Sequence, residues 1–322
     1  MLLYQLYPIS VPWAAPAIAS LASFVGQEGG DAMVAEKGEK MRFPVIPSDR
    51  EDDLHNLAIA DSADLVLLVA GNQFMVMKEL LLAFQKEYPE IKKVFYETLP
   101  PGLELKQILA GGAVFRDRVI DVVPDVYASV SEEAMNRLED RGFISGADYF
   151  CYLHNRLVLM VPEGNPARIA AVSDLGEAGV RISQPNPEYE DIAFYIMEMY
   201  RQAGGQDLVD RIMEQKRAEG TTIMTIVHHR ETPLRITKRT VDVGPVWATE
   251  ITHARQGGLS VDVVEPGEDL DQRGSINYYM CPLKSAGHPE NGEKFLDFIK
   301  SAGAQGIYKK NGFVPHFPAS AL

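Results

Sequence analysis

The chain has 322 residues, 46% hydrophobic and 24% charged, with a net charge of −14. Its length exceeds the roughly 100–200 residues of one domain and its balance is globular, which excludes a long disordered chain and predicts two α/β lobes. A negative field of that size repels phosphate backbones, so nucleic acid is excluded as a partner, and any anion site must rely on local donors.

Residues 1–25 are apolar and contain small-residue sites such as Ala17-Ile18-Ala19. No Lys or Arg precedes the apolar part, and Pro8, Pro12 and Pro16 interrupt it, which departs from a secretory signal and from the roughly 20 uninterrupted residues of a membrane helix. An atypical signal, a mis-assigned start and an accessory arm all stay open. Gly26 to Asp64 mixes glycine, proline and charge without periodicity and reads as a linker or appended arm, so residues 1–63 are set apart from the folded body.

Leu65 to Ala70 is a continuous apolar run, the mark of a strand buried on both faces. Met77, Leu80, Leu81, Phe84 and Tyr88 follow at helical spacing. Lys93 to Glu97 predicts a second strand, which leads through Pro100-Pro101-Gly102 into a helix, and Val119 to Tyr127 predicts a third. Ser129 and Glu132 have capping-box spacing at the next helix start. Further strands are expected at Arg156–Val161, Arg181–Ser183, Val241–Trp247, Val261–Val264 and Asn277–Leu283, with helices between them and two more at the C-terminus. Such alternation implies mainly parallel sheets covered by helices. Cys151 and Cys281 fit no zinc or redox spacing; they read as small buried hydrophobes or as one disulfide.

No GxSxG, Walker-type loop, GxGxxG or HExxH motif is present, and no cofactor is expected. Polar residues gather instead at strand ends, where open α/β sheets place ligands. The densest group is His228-His229-Arg230-Glu231-Thr232, either a ligand-contacting turn or a solvated loop; His228, His229 and Glu231 also have metal-ligand chemistry. Asn72 and Gln73 close the first strand, and Thr98 to Gly102 close the second, where contact competes with simple capping and turn shape. Asn186 precedes a helix whose first-turn acids suit the macrodipole, beside backbone N–H groups that can seat an anion. Trp247 either floors a pocket or fills the core, and Tyr278 and Tyr279 must face opposite ways.

In their order, Leu67 to Phe84, Leu105 to Gly111, Asn155 to Leu159, Val241-Asp242-Val243-Gly244-Pro245-Val246-Trp247 and the tail from Phe295 to Phe313 resemble the molybdate/tungstate-binding branch of the type II periplasmic solute-binding proteins. The resemblance implies a two-lobed fold of that type with a hinge of two crossovers. Residues 64–153 plus 272–322 would form one lobe and 154–271 the other. It further implies a non-enzymatic, monomeric, periplasmic or extracellular receptor that binds a small anion between the lobes and delivers it to the membrane subunits of an ABC importer. By position, family contacts fall on Asn72, the Thr98–Gly102 turn, Asn186, His229 with Arg230, and Trp247. Where oxyanion-binding relatives use serine hydroxyls this chain offers Asn72 and a Pro-Pro-Gly turn, and where they use tyrosine it has Trp247. That favours a larger anion such as an organic carboxylate, held by Arg230, or a coordinated metal. Two rival classes are an enzyme with His229 as general base oriented by Glu231, and a sensing or scaffold protein retained in the cell.

Overall fold

The computed structural model describes residues 32–36, 39–188 and 190–319. The expectations for residues 1–25 lie outside the described residues. Strands β1 (Ala32–Glu36) and β2 (Glu39–Phe43) pair with each other antiparallel.

Residues 43–62 of the segment expected as a linker are packed into the first lobe. Strand β3 (Val45–Ile46) pairs with β7 (Ala113–Phe115), which also pairs with β8 (Arg118–Ile120). Strand β4 (Leu54–His55) joins the edge of the main sheet, and Ile46, Leu54 and Ala60 are buried. Two-residue strands carry no readable alternation, so charge and turn residues masked them in the sequence.

The main sheet runs β17-β10-β16-β9-β5-β6-β4. Its centre is β5 (Leu65–Leu68), parallel to β6 (Val94–Glu97) and β9 (Val126–Ser129). Leu65 and Leu67 face helix α1 (Phe74–Glu87), while Val66 and Leu68 face α2 (Pro101–Ala110) and α3 (Glu132–Asp140), the period-two consequence of burial on both sides. The single strand expected from Val119 to Tyr127 is two strands in different sheets, interrupted at Pro124, which has no N–H to give a ladder. Ser129 does not form the expected capping box: its Oγ accepts the Ser131 N–H, and Glu132 accepts from the Tyr149 hydroxyl.

The chain leaves the first lobe after β10 (Phe150–His154) and enters β11 (Leu157–Pro162) through Asn155-Arg156. Strand β12 (Ile182–Pro185) leads to α4 (Ile192–Asp210), which breaks at Gly204–Gly205, then to the short α5 (Lys216–Ala218) and to β13 (Thr222–Thr225), parallel to β12. Helix α6 (His228–Thr237), β14 (Gly244–Trp247), α7 (Ala248–Gln256) and β15 (Val261–Val264) complete this lobe, with β14 and β15 antiparallel to β11. The return crossover ends at β16 (Asn277–Pro282), and the Arg156 guanidinium pairs with Glu265 to tie the two crossovers together. Helices α8 (Pro289–Lys300) and α9 (Ala302–Lys310) and strand β17 (Val314–Pro315) then cover the first lobe.

The sheets are therefore mixed and not mainly parallel, because β16, β17 and β4 run against the direction of β5, β6, β9 and β10 in the first sheet. Strand alternation in a sequence identifies strands and leaves their direction unset. Cys151 and Cys281 are free thiols, Cys281 buried and Cys151 half-buried.

Candidate functional site

Between the lobes lies a cavity of about 40 Å³, lined by Arg50, Asn72, Pro101, Glu190, Asp191, Ile192, His228, His229 and Trp247 among others. Its walls are chain segments that open helices. Gly71-Asn72-Gln73 forms a 3-10 turn before α1, Pro101 is the first residue of α2, Ile192 opens α4, His228 and His229 open α6, and Trp247 caps α7. First-turn N–H groups have no intrahelical partner, and each helix start carries about half a positive charge, so five such ends converge on one small space.

Around the cavity Glu190, Glu250, His228 and Arg50 neutralise one another. His228 is held between two glutamates: Nδ1 is 2.6 Å from Glu190 and Nε2 is 2.8 Å from Glu250, and its backbone N–H also donates to Glu190. Burial opposes a charge there, but Glu250 and Glu190 outweigh it and raise the imidazole to about 10, so His228 is an imidazolium. Arg50 is buried, donates to Asp53 and to the Ile226 carbonyl, and lies 3.7 Å from Glu190. His229 behaves in the opposite way: burial, then the neighbouring His228 charge, holds it well below its ordinary value, so it is neutral. Its Nε2 is buried without a partner among the described residues, and its ring packs on Phe74 at 4.8 Å. Asp191 is raised to about 6 by burial and by Glu190. The Asn72 amide nitrogen donates to the Tyr278 hydroxyl at 2.6 Å, which also accepts from Asn155 at 3.2 Å, and Asn72 Oδ1 has no partner among the described residues.

Of the residues expected at a site, Asn72, His228, His229 and Trp247 meet at this cavity. The others lie outside its lining. Gln73 turns into the core, donating to the Tyr152 hydroxyl and accepting from Tyr308. Thr98 pairs with His55 at 3.0 Å, and Gly102 lies beyond the Pro100-Pro101 lining, in a turn that Glu104 fixes by accepting the Leu99 N–H. Asn186 accepts the Glu188 N–H in its own turn. Glu231 accepts the Ile226 and Val227 N–H groups and pairs with Arg235, and Thr232 shares a hydrogen bond with Ser183. Arg230 is not in the lining; it donates to Asp53 across the lobes at 2.7 Å. Arg50 and Asp53 carried no signal in the sequence beyond charge in a presumed linker. Trp247 is buried against Tyr195 at 5.8 Å and is at once wall and core.

The family model for bacterial extracellular solute-binding proteins matches residues 65–314. The Bacillus subtilis (strain 168) lipoprotein YvgL, assigned as an ABC transporter substrate-binding protein, is 24% identical over 59% of this chain and 66% of its own length. The chain thus spans just under two thirds of that relative. A sulfate-binding protein of Synechococcus elongatus is 26% identical over 73% of this chain and 70% of its own length. The periplasmic molybdate-binding protein of Azotobacter vinelandii has the same fold, with a TM-score of 0.60 and 20% identity over 78% of this chain and 98% of that one. The chain belongs to the bacterial extracellular solute-binding proteins and has their two-lobed α/β fold.

Proposed function

We propose that this protein captures a small anion, an oxyanion or a small carboxylate, between its lobes and presents it to the membrane subunits of an ABC-type importer. It would do so as a monomer on the periplasmic or extracellular face and without catalysis. The observation that carries the reading is the convergence of five helix starts on a cavity whose lining Glu190 is already engaged by His228 and Arg50, which leaves Asp191 as its one uncompensated carboxylate among the described residues. The sulfate- and molybdate-binding relatives point the same way.

Size sharpens it. A cavity needs roughly 10–15 Å³ per water, so about 40 Å³ suits a handful of non-hydrogen atoms and favours a compact oxyanion over an aromatic acid. The Tyr278 hydroxyl accepts from Asn155 and has its own proton to give. In the structure the Asn72 NH₂ donates to that hydroxyl; with the amide turned over, its oxygen would accept the hydroxyl proton and its NH₂ would face the cavity as a donor. Neutral His229 can donate from Nε2 in the same way. The cation reading of the turn has less behind it, because His228 is engaged at both nitrogens and Glu231 caps its own helix.

The test is a thermal-shift panel of sulfate, molybdate, tungstate, phosphate and small carboxylates in the presence of a chelator. At least one anion should raise the melting temperature, and His229→Ala should lose that response. Failure of every anion, or an undiminished shift in His229→Ala, would overturn the assignment.

A further inference from the structure

Outside the interlobe cavity, Cys151, His154 and His316 bring one sulfur and two imidazole nitrogens within 4.8 Å of one another. The arrangement depends on a backbone irregularity. Residues three apart on a regular strand point to opposite faces. In β10, however, Cys151 pairs with Tyr279 and Leu153 with Tyr278, so Tyr152 is an extra residue in the ladder. That bulge turns Cys151 and His154 to the same side. Tyr152 itself goes into the core, where its hydroxyl accepts from Gln73. Strand β17 pairs with the end of β10 and delivers His316, whose N–H is fixed by Gln305 at 3.1 Å.

The side chains are oriented as ligands. Asn277 gives its amide N–H to the Gly274 carbonyl, so its oxygen faces His154 Nδ1 at 2.8 Å and accepts the proton there. His154 Nε2 is left with a lone pair directed at His316 Nδ1, 2.9 Å away, and 4.0 Å from Cys151 Sγ. An oxygen holding the far ring nitrogen is the usual support of a metal-bound histidine. Tetrahedral zinc, with bonds of about 2.0–2.1 Å to nitrogen and 2.3 Å to sulfur, sets these separations near 3.3 and 3.6 Å. These two gaps therefore change by only about 0.4 Å, and the third, Cys151 Sγ to the His316 ring, lies within 4.8 Å, so closing on an ion takes side-chain rotations at a half-exposed surface.

The geometry points to a Zn²⁺ site formed by Cys151, His154 and His316, with a fourth position open to water. On binding, the Cys151 thiol loses its proton to solvent, and His316 carries its remaining proton on the outward Nε2. The ion would tie the C-terminal strand to β10 one residue before the crossover at Asn155.

Cobalt reports the site directly. Chelator-treated full-length protein titrated with Co²⁺ should develop a thiolate-to-cobalt charge-transfer band and intense tetrahedral d–d bands, saturating at one equivalent and bleached by Zn²⁺. Cys151→Ser should abolish the charge-transfer band, and exposed His316→Ala should weaken cobalt binding by at least about tenfold. His316→Ala should melt like wild type without metal and lose the zinc-induced rise in melting temperature. Its response to anions should be unchanged, which separates this site from the interlobe one. Absence of the charge-transfer band in wild type, its survival in Cys151→Ser, or a wild-type zinc response in His316→Ala would each overturn the proposal.

Discussion

Arg230, in the first turn of α6, donates to Asp53 at 2.7 Å and so bridges the two lobes beside the cavity. Asp53 is buried while Arg230 is about a third exposed, so the pair acts as a partly screened latch. Burial raises the Asp53 carboxyl against the pull of Arg230 and Arg50. Removing Arg230 leaves that carboxylate with Arg50 alone. Arg230→Ala should weaken anion affinity about tenfold, near 1.4 kcal/mol, by favouring the open form. Isothermal titration gives the affinity, and small-angle scattering of the ligand-free protein should show a larger radius of gyration than wild type. Equal affinity and equal dimensions would mean the latch contributes nothing to closure.

His228 makes stability depend on alkaline pH. Its folded value of about 10 lies above the ordinary 6.5, because Glu250 and Glu190 outweigh burial. The folded state therefore binds a proton that the unfolded state releases. The resulting stabilisation is complete below about pH 6.5 and disappears as pH rises through about 10. His228→Gln leaves buried Glu250 without its cation and Glu190 with Arg50 alone, and should cost about 3 kcal/mol at neutral pH. Urea melts across that window should show wild type losing stability toward pH 10 while the variant stays nearly flat. Parallel pH profiles would mean His228 is neutral in the fold.

A chain beginning at Asp64 should fail to fold stably, even though residues 65–314 carry the family match. Ile46 and Leu54 are buried, and each large aliphatic side chain contributes about 1.5–3 kcal/mol on burial. The truncation also removes Arg50 and Asp53 from the cleft. Circular dichroism melts of the two chains should differ by several kcal/mol. A truncated chain melting with wild-type cooperativity would show that residues 45–62 only decorate the lobe.

How far the sequence carried depended on the range of each interaction. The run Leu65–Leu68 with its helical successor was legible because strand and helix periods are local. His228, His229 and Trp247 were legible because they sit where strands hand over to helices. Arg50 was not, since its bond to the Ile226 carbonyl spans 176 positions and its own segment has no period. Arg230 was readable as a cation near the site, but its partner Asp53 came from a stretch that looked like linker. The facing of Cys151 and His154 was also hidden, because a bulge at Tyr152 depends on a partner strand more than 120 residues away. Sheet direction was lost for the same reason: β10 and β16 become antiparallel neighbours only after the chain has crossed to the second lobe and back.

Asp191 should set the acid side of binding. Asp191 lines the cavity, and burial followed by the Glu190 charge raises its carboxyl to about 6. Because the ordinary value is 3.8, the folded state holds the proton more tightly than the unfolded chain. The group's contribution to stability is thus complete below about 3.8 and lost as pH rises through about 6. Near pH 7 the site therefore presents a carboxylate to its ligand, and near pH 5 a neutral acid able to donate a hydrogen bond. An anion should bind more tightly as pH falls between those values, and binding should release fewer protons than it takes up. Asp191→Asn keeps the shape and removes the charge. At an effective dielectric of about 20, one unit charge several ångströms from an anion is worth a few kcal/mol, so the variant should bind at least about tenfold more tightly near pH 7. It should also lose the pH dependence between 5 and 7. Titrations of both proteins across that range decide the matter: a weaker Asp191→Asn complex would mean that the carboxylate itself contacts a cationic or donor group, and the anion assignment would fall with it.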